Sequence, residues 1–80
     1  MTKRLAAAEA YEANRGDILA MIEMLRAELD HHAERAAAEP RNWGFAGDLG
    51  LVRRRIIEVL AMLTGQSEAS IEHHLANARK

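Results

Sequence analysis

Two histidine doublets and a nearby glutamate are the residues whose types and spacing come closest to a metal site. The doublets are His31-His32 and His73-His74, and Glu28 stands three residues before His31. A Glu-x-x-His step is the half-motif of carboxylate-bridged di-iron bundles, and Glu58 could complete the ligand set in a dimer. On helical wheels, however, Glu28, His31 and Glu58 face away from the apolar sides of their helices, so the ligands diverge. We therefore expect no metal site and no cofactor.

The sequence also does not place together the side chains that covalent or acid–base catalysis requires. The chain has no cysteine, and its few serines and threonines stand at predicted helix ends or in the C-terminal tail. A nucleophile needs a base and an orienting group beside it, and no such set can be placed together. We expect a protein that binds and is not an enzyme.

The only basic run is Arg53-Arg54-Arg55. Three successive helical residues spread over some 200°, so the run cannot form a stripe along a nucleic-acid groove. Arg54 and Arg55 are instead spaced to pair with Glu58, four and three residues further on. A solvated, ion-paired face is the favoured interpretation, and a phosphate-binding patch is the alternative.

The segment Trp43–Gly50 combines two of the three aromatic residues with three glycines at steps of three. If it is helical, Trp43 and Gly47 share a face with little side-chain cover, on which an aromatic anchor could meet a partner. The alternative is a turn followed by a close helix crossing, with Trp43 sealing the end of a bundle. A phosphate-binding loop is a poor explanation, because no strand precedes the segment and the Lys-Ser/Thr of that motif is missing.

The first predicted helix covers about residues 3–38, with Thr2 as its N-cap, because the segment is rich in strong helix formers. Its apolar residues recur at alternating steps of four and three, the heptad spacing of helices that pack at shallow angles. Gly16 and Asp17 leave open a break in this helix. This stripe, the first seam, consists of Ala8, Tyr11, Arg15, Ile18, Ile22, Leu25, Leu29, His32 and Ala36, with Ile18, Ile22, Leu25 and Leu29 as its apolar centre.

Residues 39–42 form the predicted turn, because Pro40 cannot donate to a helical ladder. The second helix is predicted over about residues 43–63, capped by Asn42, with Asp48 as the alternative start and Gly65 at its C-terminal end. A short helix, capped by Ser67, is predicted over about residues 68–78. The second helix carries its own heptad stripe, the second seam, which consists of Phe45, Leu49, Val52, Ile56, Val59 and Leu63.

Apolar residues remain after each helix has used one seam. Ile57, Leu51 and Met62 lie roughly 100–120° away from the second seam, and Met21, Met24 and Leu19 lie outside the first. The first helix is also longer than the second, so its N-terminal part needs cover from the third helix or from another chain. A two-fold dimer of helical hairpins, forming a four-helix bundle, satisfies both requirements with one interface.

Size and composition agree with this assignment. A single domain of 80 residues buries only about 60–65% of its unfolded surface, so association would add needed stability. The net charge of −1 lacks the basic excess that is typical of proteins that bind nucleic-acid phosphates. No apolar run approaches the roughly 20 residues that span a bilayer, and the absence of cysteine suits a reducing cytoplasm.

The arrangement of two heptad helices around a short turn resembles the Rop-like family of small dimeric helical-hairpin regulators. The resemblance is one of pattern, and no residue motif carries a function across. The sequence thus predicts an all-α, cytoplasmic homodimer whose interface includes the two seams, and which binds a protein partner through the Trp43 region or the remaining apolar faces. A nucleic-acid-associated regulator, with Lys3, Arg4 and Arg41 joining the arginine run in one patch, is the alternative. A carboxylate/His metal-binding bundle is the second alternative.

Overall fold

The computed structural model describes the backbone of residues 3–79 and the side chains of residues 6–79. Its regular elements are three α-helices, α1 (Lys3–Ala38), α2 (Trp43–Thr64) and α3 (Glu68–Ala78). The all-α prediction is confirmed, and so is the order of long helix, turn, second helix and short C-terminal helix. Thr2, the predicted N-cap of the first helix, lies outside the described residues.

The chain divides into two units, Met1–Pro40 and Arg41–Lys80. The first unit holds α1, which runs through Gly16 without a break. One glycine destabilises a helix by only about 1 kcal/mol, so the strong helix formers on both sides of Gly16 are enough to keep α1 continuous. The amide of Glu39 donates to the carbonyl of Ala36 at 3.1 Å, and Pro40 then stops the ladder.

Local signals fix both ends of α2 in the second unit. Asn42 has an extended backbone, and its side chain accepts from the amide of Gly44 at 2.9 Å. A Cβ on Gly44 would lie 3.0 Å from that same Asn42 oxygen, so the cap favours glycine there. At the other end Gly65 takes the left-handed conformation, with φ of 75°, and donates to the carbonyl of Ala61. The predicted caps at Asn42 and Gly65 are confirmed.

Side-chain hydrogen bonds order the turn between α2 and α3. The hydroxyl of Ser67 accepts from the amide of Ser70 at 3.0 Å, as the predicted N-cap of the third helix requires. The hydroxyl of Thr64 donates to the carbonyl of Leu60 and accepts from the amide of Gln66. Glu68 stands in the first turn of α3, where a negative charge complements the helix dipole. These bonds order the connection between α2 and α3.

Packing of α3 against α2 forms the core of the second unit. Ile57 on α2 is 4% exposed and Ile71 on α3 is 7% exposed, and these are the buried hydrophobic residues of the described chain. The sequence prediction for Ile57 is therefore wrong, since it counted this residue as surplus apolar surface. A helical wheel shows that α2 is apolar on two sides. It does not show which of the two sides the short third helix packs against.

Candidate interaction surface

The first seam runs along α1, and its apolar residues are largely accessible to solvent. Leu25, His32 and Ala36 are half-buried. Tyr11, Ile18, Ile22 and Leu29 are exposed, as are the neighbouring Leu19 and Met21. Ile22, Leu25 and Leu29 line a shallow depression, with Arg26 at its edge. This part of the seam has the shape and chemistry to receive apolar side chains from another helix.

The second seam runs along α2 and lies about 120° around the helix from the Ile57 side that α3 covers. Phe45 and Val52 are half-buried. Leu49, Ile56, Val59 and Leu63 are exposed, and so is Leu60 between the seam and α3. Docking of α3 therefore uses one apolar side of α2 and leaves the second seam accessible.

Trp43 begins α2 and is the most exposed large apolar side chain of the described residues, at 84%. The Asn42 cap fixes the backbone beneath it, so the indole projects from an ordered helix end and not from a loose loop. Gly47 and Gly50 follow on the neighbouring part of the helix, with open space where a side chain would stand. Tryptophan in such a setting is typical of residues that dominate protein–protein contacts.

A shallow groove lies between α2 and α3 in the second unit. Gly50 and Ile57 form its uncharged lining. Its charged lining is two arginines from α2 and two glutamates from α3, namely Arg53, Arg54, Glu68 and Glu72. The positive and negative charges of this lining balance, so the groove carries no strong net charge.

Arg53 and Glu72 connect the two helices across one edge of this groove. Two guanidinium nitrogens of Arg53 donate to the two carboxylate oxygens of Glu72, one of them at 2.8 Å. The hydrogen bonds from Arg53 lower the pKa of the Glu72 carboxyl below its ordinary value, and the same bonds raise the pKa of Arg53. Both side chains remain about half exposed, so water screens the pair.

The rest of the arginine run is consistent with a solvated face. Arg55 donates to Glu58 at 3.1 Å, the i,i+3 pairing that the sequence predicts. Arg54 lines the groove beside Ile57. Two of the three guanidinium charges are thus directly opposed by carboxylates. Of the other basic residues of the alternative patch, Lys3 and Arg4 have side chains outside the described range.

The residues considered for a metal site have other contacts. The Nδ1 atom of His31 lies 3.7 Å from a carboxylate oxygen of Glu28, and both side chains are exposed. Glu58 accepts from Arg55. Among the side chains of residues 6–79, no cluster of three or more His, Asp or Glu groups comes together as a metal site.

Sequence reasoning missed the groove and its ion pair. The sequence analysis assigns no partner to Arg53, because Glu72 lies nineteen residues away on a different helix. One signal for it was present: Glu68 and Glu72 are four residues apart on one face of the third helix, with Ile71 beside them. Once Ile57 and Ile71 are matched, that acidic face meets the arginine run.

Comparisons with protein-family models, with curated proteins and with solved structures find no match for this chain. Within the described residues, no helix combines the length and the apolar character that crossing a membrane requires.

Proposed function

We propose that this chain is a non-catalytic, cytoplasmic interaction protein that works as a homodimer. Two copies would combine their first and second seams in a four-helix bundle, and the dimer would present Trp43 to a protein partner. The observation that carries the proposal is the accessibility of both seams, whose apolar residues follow heptad spacing on ordered helices.

The exposed seams give a physical reason for association. Apolar surface gains about 25 cal/mol per Å² when it is removed from water, so each half-exposed leucine or isoleucine of a seam contributes roughly 1 kcal/mol when it is covered. Several such residues on each helix outweigh the ordering cost of a helix that is already formed. The core around Ile57 and Ile71 alone is a small source of stability for a chain of this length.

The Trp43 surface supports a contact beyond the dimer. On the helical wheel Trp43 lies some 160° from the second seam, between Gly47 and Gly50, and Gly50 lies on the side of the α2–α3 groove. A dimer built on the seams would therefore leave the indole accessible. An exposed tryptophan beside bare backbone and a charge-balanced groove favours a protein partner over a nucleic acid, whose phosphates require uncompensated positive charge.

Light scattering on purified protein tests the homodimer. The wild type should have twice its chain mass of 8.9 kDa at micromolar concentration. Ile22→Asp, which places a carboxylate in the first seam, should shift the protein toward the monomer, because a charge in an apolar interface is costly.

Met24→Asp is the matched control. Met24 is 66% exposed on the same helix, about 140° from the centre of the first seam, and it receives the same new charge. It should leave the mass at that of the dimer. A monomeric wild type, or equal effects of the two substitutions, would contradict the proposal.

A further inference from the structure

We infer that α1 pairs with α1 of a second copy in the antiparallel sense, about a two-fold axis at the level of Ala20. This inference rests on the proposed homodimer and deepens it, since it names the occupant of the first seam and its direction. Ala20 lies near the middle of α1, whose limits are Lys3 and Ala38.

The distribution of apolar residues along α1 favours this axis. The most continuous exposed apolar band is Ile18, Leu19, Met21 and Ile22, which lies at the middle of the helix. A two-fold axis there places the band against its own copy, so that Ile18 shares a layer with Ile22 of the second copy. The same register sets Tyr11 opposite Leu29 and the bulky His32 opposite the small Ala8.

Polar residues within the seam argue against a parallel pair. In a parallel, in-register pair every seam residue meets its own copy, so Arg15 would lie against Arg15 and His32 against His32. Two guanidinium groups in one layer of an interface repel each other and lose water at the same time. The antiparallel pair separates these groups, because Arg15 then shares a layer with Leu25.

Charges beside the seam are complementary in the antiparallel arrangement. Glu12 and Arg26 flank the first seam on the same side, on opposite sides of the axis and at nearly equal distances from it. The antiparallel pair brings the carboxylate of Glu12 in one copy near the guanidinium of Arg26 in the other. The two-fold symmetry repeats this contact once. Arg26 is available for this contact, since its Nε lies 3.8 Å from Glu23 in a weak, exposed pair and the residue lines the seam depression.

Spin labels on the face opposite the seam test the pairing in the full chain. Ala13, Ala20 and Ala27 are exposed, lie seven residues apart and share one face of α1. Because the chain has no cysteine of its own, each single substitution (Ala13→Cys, Ala20→Cys or Ala27→Cys) carries one label per copy. The distance between the two labels in the dimer is then measured by pulsed electron resonance.

The antiparallel pair predicts that the Ala20 labels are closest. The Ala13 labels and the Ala27 labels should each be separated by a further component of roughly 20 Å along the axis, at 1.5 Å per residue. Three equal distances would overturn the inference in favour of a parallel pair, and a minimum at another position would overturn the register. If no intermolecular distance is found and the mass is that of a monomer, the proposed function itself fails.

Discussion

Arg53 and Glu72 are the residues whose chemistry most directly ties one helix to another in the described chain. Their two hydrogen bonds join the middle of α2 to α3, beside the buried Ile57. Because both side chains are about half exposed, the pair contributes modestly to stability, and its main effect is to fix how α3 lies on α2. Its strength also depends on pH, since only the ionised carboxylate accepts both bonds.

The α2–α3 contact should weaken in acid. The pKa of Glu72 is lower in the folded chain than its ordinary value of 4.5, so the pair stabilises the fold fully above that value. The contribution is lost as the pH falls through the depressed pKa of the folded state. Glu72→Gln should therefore lower the thermal midpoint at pH 7, and the difference from wild type should shrink as the pH approaches 3.

Glu58→Gln is the control for this pH series, because it removes the same charge from a pair within α2. Its effect at pH 7 should be smaller, since both partners already lie on one helix. Circular dichroism melts at a fixed concentration measure all three proteins. A constant difference between wild type and Glu72→Gln from pH 7 to pH 3 would contradict the role of the pair.

Two glycines should respond in opposite directions to the same substitution. Gly65→Ala should lower the free energy of unfolding by about 1 kcal/mol, because alanine is strained at the positive φ of this helix end. Gly16→Ala should raise it by up to about 1 kcal/mol, because the site lies within α1 and an added Cβ meets no atom within 4 Å. Urea unfolding measures both, and a stabilising Gly65→Ala would contradict the cap.

At the scale of the elements, nearby residues in the sequence determine where the helices begin and end. Each of these signals acts within four residues of the helix end. Pro40 lacks an amide hydrogen, Asn42 and Ser67 cap a helix with their side chains, and Gly65 adopts the left-handed conformation. Their positions could therefore be predicted without any neighbour. The docking of α3 could not, because it depends on which of two apolar sides of α2 a distant helix covers.

The α2–α3 core can be tested at its most buried residue. Ile57→Ala should cost about 2–4 kcal/mol, because it removes buried methyl groups and leaves a cavity. Leu51→Ala, at an exposed position of the same helix, should change stability by less than about 0.5 kcal/mol. Urea unfolding at one protein concentration compares them. Equal costs would mean that α3 does not form the core described above.

At the scale of the whole molecule, the chain has more apolar surface than its own described contacts cover. The second unit buries Ile57 and Ile71, while the first and second seams keep most of their large apolar residues in water. Heptad spacing could predict the seams, since it is a property of each helix alone. It could not predict their occupant, because that depends on the charges and shapes of a second surface.

The concentration dependence of thermal unfolding tests the central claim most directly. If folding is coupled to association through the seams, dilution favours the separated and unfolded chain. The wild-type midpoint, followed by circular dichroism, should therefore rise steadily as the protein concentration is increased a hundredfold from the low micromolar range. A midpoint that stays the same over that range would show that one copy is sufficient, and would contradict the account.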